Sequence, residues 1–135
     1  MINLTAYLIR FKQRGPASIS NIREAENKLA IQFPDDYRNF MQKTNGGEGF
    51  IGSNSYIVLW SVDELMSMNK MYEVQAFAPG LLLFGSDGGG EAYGFDVRSS
   101  SYSVIQVPFV GMSWTDAMLA GESFSIFLKN LYEVQ

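Results

Sequence analysis

The side chains of this 135-residue chain that could do chemistry are carboxylates, hydroxyls and amines, because it contains no histidine and no cysteine. Serine or cysteine nucleophiles activated by an imidazole are therefore excluded. So are disulfides and zinc–thiolate sites. The usual general base at neutral pH is also missing. Two glycine-rich strings remain. Gly47-Glu48-Gly49-Phe50-Ile51-Gly52 fits the spacing GxGxxG. A dinucleotide loop needs a strand before that spacing and a helix after it, so that backbone amides face a pyrophosphate. Here a helical segment precedes and a strand-like one follows, and no acid lies about 20 positions on to hold a ribose. The string is expected to be a helix cap followed by a flexible turn. The second string, Asp87-Gly88-Gly89-Gly90-Glu91, reads as a wide turn that carries two carboxylates on a loosened rim. It lacks the spacing of a calcium loop. Asp87, Glu91 and Asp96 could form a carboxylate-only magnesium site, or a carboxylate pair of the glycosidase kind. So short a chain leaves little room for a sugar cleft, and Asp96 reads more simply as a turn-starting residue.

The elements that must hold these strings follow from periodicity. Leu4, Leu8 and Phe11, with Tyr7 beside them, predict a helix over about residues 3–13, capped by Asn3 and stopped by Gly15-Pro16. Arg10, Lys12 and Arg14 fall at its end, where a helix dipole favours cations. A second helix starts near Ser20 or Asn21, with Ile22, Ala25 and Leu29 inward. Pro34 opens a third, with Asp35 and Asp36 in its first turn and Asn45-Gly46-Gly47 closing it. Ser55 to Trp60 alternates as a strand. Ser61 and Glu64 have capping-box spacing and open a helix to about Glu73. Leu81–Phe84, Glu91–Val97 and Ser101–Val107 read as strands, the last two forming a hairpin. Residues 109–120 are a loop with an edge strand, and a helix starts near Glu122. Trp60 reads as a core aromatic or a partly exposed contact at a binding edge, and Trp114 as a possible exposed contact. Helices and strands are segregated, so the class is α+β with a central antiparallel meander, in one domain spanning 1–135.

Hydrophobic residues make up 47% of the chain and charged residues 18%, a folded composition. Charge is uneven. Residues 1–43 carry seven Lys/Arg against four Asp/Glu, whereas residues 44–135 carry three against ten. The acidic portion repels nucleic acid and attracts basic proteins. No signal peptide or membrane-length apolar run is legible, so a cytoplasmic protein is expected.

The stretch from Ile22 through Phe33-Pro34-Asp35-Asp36-Tyr37 to Asn45-Gly46-Gly47 resembles the opening of the Smi–Knr family of the SUKH superfamily. Three further pieces match in order. They are Leu59-Trp60, then Leu83 to Glu91 running into Phe95-Asp96, and the closing Ser123 to Leu128. Together they cover about residues 19–131. The resemblance implies a twisted antiparallel sheet with helices packed against it. It implies non-enzymatic protein binding, without cofactor or metal. Bacterial members are mostly immunity proteins that neutralise protein toxins, often nucleases; fungal relatives are regulators, so an intracellular regulatory adaptor is the alternative. Trp60, Asp87, Gly89, Gly90, Glu91 and Asp96 fall on the family's recurrent positions. Glu48 joins them by its charge on a neighbouring turn. Glu26 is expected to be structural.

Overall fold

The computed structural model describes residues 4–134. Its helices are α1 (Leu4–Tyr7), α2 (Ile19–Leu29), α3 (Asp35–Thr44), α4 (Leu65–Met71), α5 (Val74–Phe77) and α6 (Phe124–Tyr132). Its strands are β1 (Phe11–Gln13), β2 (Gly47–Ile51), β3 (Ser55–Leu59), β4 (Leu81–Ser86), β5 (Glu91–Asp96), β6 (Val104–Pro108) and β7 (Met118–Gly121). The strands form one sheet in chain order, β1 to β7, with every neighbouring pair antiparallel. The class is α+β, as the segregation of periodicities predicts.

The local signals act where the side chains can reach backbone. Ser18 caps α2 by accepting from the Asn21 amide, two to three residues earlier than expected. The Ser61–Glu64 capping box forms, and a 3-10 turn over Val62–Glu64 leads into α4. Asn45 ends α3 with a φ of 51°, a left-handed conformation that Asn tolerates. Asp36 reaches further: Oδ2 accepts from the Ser125 amide at 2.9 Å and fixes the start of α6 against α3.

The core is aromatic. Tyr37 of α3 packs against Phe84, Phe95 and Phe124, with ring centroids 5.1–5.7 Å apart. Phe127 joins through Phe84 and Tyr93. Edge-to-face pairs of this kind add about 0.5–1.5 kcal/mol each beyond area burial. β4 and the middle of β5 are buried on both faces, so the alternation expected for Glu91–Val97 has no solvent side over Ala92–Phe95.

Three expectations are corrected. The helix predicted over 3–13 is only the single turn α1, after which the chain extends into β1; the expected cap Asn3 lies outside the described residues. Pairing with β2 (Phe11 opposite Gly49, Gln13 opposite Gly47) supplies backbone partners that a helix end would lack. The basic residues there serve tertiary contacts instead of a dipole. Arg14 donates to the Leu59 carbonyl and lies 3.4 Å from Glu64, and Arg10 stacks over Phe50. The GxGxxG string is not a turn but strand β2. Gly47 and Gly49 have φ of 144° and 143°, and a Cβ there would lie 2.0 Å from the Lys12 oxygen and 2.4 Å from the Arg10 oxygen. Glycine permits β1 to cross that closely. Finally, the helix expected to Glu73 stops at Met71, where Glu73 turns left-handed and α5 begins.

That last break has a purpose in the sheet. β3 pairs with β4 only at Val58–Ser86 and Leu59–Gly85, leaving the Leu81–Leu83 edge of β4 without a strand. Asn69 of α4 fills the gap: its amide donates to the Leu83 oxygen and accepts from the Leu83 nitrogen, both at 2.9 Å. Gln75 of α5 does the same for the Leu81 oxygen and the Gly80 nitrogen. Two side-chain amides thus stand in for a neighbouring strand and satisfy the peptide groups that the sheet leaves open.

Candidate protein-binding surface

The Asp87–Gly90 loop joins β4 to β5. Asp87 Oδ1 accepts from the amides of Gly89 (2.8 Å) and Glu91 (3.2 Å), so the acid shapes its own turn. Gly88 sits over the ring of Tyr56, where a Cβ would approach within 2.8 Å, and its φ of 83° also favours glycine. Gly89 and Gly90 are exposed. Tyr56 in turn donates its hydroxyl to Glu48 Oε2 across the β2–β3 pair. That bond raises the Tyr56 pKa above its ordinary value. Glu91 Oε1 accepts from Gln106 Nε2 at 3.1 Å on the neighbouring strand. Tyr93, whose pKa is raised first by burial, also feels the charges of Asp87 and Glu91.

The sheet therefore brings Glu48, Asp87, Gly89, Gly90 and Glu91 to one rim. Among the described residues, none of these three carboxylates has a Lys or Arg within 4.0 Å; all five ion pairs lie elsewhere. Each keeps an oxygen with no hydrogen-bond partner among the described residues. Glu48 lies directly opposite the exposed Lys12 in the β1–β2 register, so the uncompensated part of this acidic rim is Asp87 and Glu91.

Trp60 and Asp96 lie apart from it. Trp60 is 5% exposed and stacks on Tyr72, which packs on Phe109, and the Phe109 amide donates to the Gly90 oxygen at 2.9 Å. It supports the loop from behind. Asp96 ends β5, about 16 Å along the strand from Glu91. Both its oxygens accept from Arg98, at 3.0 and 3.1 Å, and the guanidinium lies 3.5 Å from the Trp114 ring centroid. Trp114 is itself tied to the Pro79 oxygen at 2.7 Å. Asp96, Arg98 and Trp114 form a clasp that closes the β5–β6 turn against the segment before β4.

The clasp gives a pH prediction. The Arg98 hydrogen bonds hold the Asp96 carboxyl below its ordinary 3.8, outweighing the burial that raises it. A lowered folded-state pKa stabilises the fold above the unfolded value, and that contribution fades as pH falls through the folded one. Asp96→Asn should cost about 1 kcal/mol at neutral pH, discounted for the exposed guanidinium. In urea melts the difference between wild type and variant should shrink at a pH well below that ordinary 3.8. A difference unchanged at that pH would assign the effect to the turn's backbone bond instead.

Tyr56 and Gln106 were not legible as parts of this surface. Alternation in Ser55–Trp60 does place Tyr56, Val58 and Trp60 on one side, and that is the available signal for Tyr56.

The fold is thus an open seven-stranded α+β meander with an acidic rim at one end of the sheet. A family profile, SMI1/KNR4 (SUKH-1), matches residues 16–130, and the chain belongs to that family. It is also similar to Uncharacterized protein YnaB of Bacillus subtilis (strain 168), with 36% identity over 88 residues. The match covers 65% of this chain, which spans about half the length of that relative (51%). Among the described residues no group of three His, Cys, Asp or Glu is placed to hold a metal ion, and no helix is long and apolar enough to cross a membrane.

Proposed function

We propose that this chain is an immunity protein that binds a cognate bacterial toxin and neutralises it without catalysis. The family to which it belongs is one of toxin-immunity proteins. The observation that carries the reading to a surface is that Asp87 and Glu91, around an exposed glycine loop, have no Lys or Arg within 4.0 Å among the described residues. Charges left uncompensated in water cost little and steer a basic partner, such as a nuclease, on encounter. Gly89 and Gly90 let the backbone approach that partner closely. Trp60 holds the loop through Tyr72 and Phe109, and Asp96 braces the far end of β5.

The test is co-expression with toxins encoded beside this gene, followed by kinetics on the pair that rescues growth. Asp87→Lys with Glu91→Lys should slow association roughly tenfold or more. Because Asp87 also accepts from the Gly89 and Glu91 amides and Glu91 from Gln106, the thermal midpoint should fall modestly as well. Unchanged association rates would remove the rim from the interface. A stable endogenous partner recovered from cells lacking any toxin gene would support an adaptor instead.

A further inference from the structure

The sheet has three open stretches of edge, and two of them are closed or guarded. β4 is capped by Asn69 and Gln75. β1 is three residues long and carries the exposed Lys12, with Arg10 just before it. Short length and positive charge are the ordinary devices that stop an edge from pairing with another chain. β7, the other terminal strand, is four residues long, is bulged against β6 and is packed by α6 at Ala120 and Gly121, but it carries no basic residue. Met118 and Leu119 are 62% and 63% exposed. No Lys or Arg occurs between Arg98 and Lys129. One carbonyl, that of Ala120, is met by Asn130 Nδ2 at 3.1 Å. Acids flank the strand: Asp116 before it and Glu122 after it, both exposed.

We infer that β7 accepts an extended segment of a partner protein as an added strand, and that this segment carries apolar residues in alternation with Lys or Arg at its ends. The backbone edge supplies the pairing, and Met118 and Leu119 supply an apolar contact on each face. The flanking charges choose the occupant. In an antiparallel pairing of two copies centred on Leu119, Asp116 of one copy and Glu122 of the other would be brought near each other just beyond both ends of the paired strands. Like charges placed directly opposite are destabilising, which disfavours self-pairing. A basic-ended strand turns both repulsions into attractions. This inference stands independently of the acidic rim, which lies on the β4–β5 loop.

The probe is a synthetic peptide, Lys-Val-Thr-Val-Thr-Val-Lys, and its twin with Glu at both ends, titrated into the isotope-labelled full chain. Backbone amide shifts should concentrate on residues 117–121, and the Glu-ended twin should bind at least tenfold more weakly. Asp116→Lys with Glu122→Lys should reverse that preference, and Leu119→Lys should abolish binding of the basic peptide. Asp87→Lys with Glu91→Lys should leave it intact, so failure of the rim and failure of the edge are read separately. No shift at β7 with millimolar basic peptide, or equal binding of the two peptides, would overturn the inference. So would a dimer that Leu119→Lys dissolves, since the occupant would then be a second copy.

Discussion

Gly47→Ala is expected to destabilise the protein by about 3 kcal/mol or more, with a fall in thermal midpoint of roughly 10 °C. A methyl at position 47 would overlap the Lys12 carbonyl oxygen, 2.0 Å away, and the residue would also be held at a φ of 144°. Neither side can yield cheaply, because the obstacle is backbone. β1 must detach from β2, and Phe11, which packs 6.4 Å from Phe40, loses its anchor. The control lies in the other glycine string. At Gly90 an added Cβ meets nothing within 4 Å and φ is not positive, so Gly90→Ala should change stability by a few tenths of a kcal/mol. Urea melts of the two variants test the contrast. Equal effects would mean that β1 does not need the close crossing.

The second large effect belongs to Glu26. Its side chain is 11% exposed, and Oε2 accepts from the Phe33 amide at 2.7 Å and from the Arg38 guanidinium at 2.9 Å. Arg38 also reaches the Phe33 oxygen and Asp35. One carboxylate thus fixes the α2–α3 corner, and the Glu26 hydrogen bond is the largest cause of the raised Arg38 pKa. Breaking a buried pair from one side costs about 3–5 kcal/mol. Arg38 keeps a third of its surface in water and keeps Asp35, so Glu26→Ala should cost about 2–3 kcal/mol. Glu26→Gln retains an acceptor and should cost less than half as much. Chemical denaturation at neutral pH checks both. A loss under about 0.5 kcal/mol for Glu26→Ala would show that water replaces the carboxylate at the corner.

These two sites mark what the sequence could and could not reveal. Caps and periodic stripes are local, so the starts of α3, α4 and α6 were legible from Pro34, Ser61 and Ser123. The aromatic core was legible too, since Tyr37, Phe40, Phe124 and Phe127 sit at helical spacing. β1 was not, because what holds it is pairing across more than thirty residues, and β2, although it pairs locally with β3, is masked by its glycines. Phe11-Lys12-Gln13 has no strand signal of its own until Gly47 and Gly49 let it approach. The Asp87–Glu91 rim was legible as a turn with two acids. Its link to Glu48 through Tyr56 was not, since that contact needs the register of β2 on β3. Asp96 is the converse case: two residues from Arg98 in the chain, its ion pair could have been read from spacing alone.

The aromatic centre also constrains how the protein is made. Tyr37, Phe84 and Phe95 meet around Phe124 and Phe127, which ribosomes add long after the sheet's first strands. Until α6 emerges, the helix-facing side of a nearly finished meander has α3 but not α6 to close it. The nascent chain must therefore wait, greasy side open, and chaperone occupancy during translation should persist until the codons for that last helix have been read.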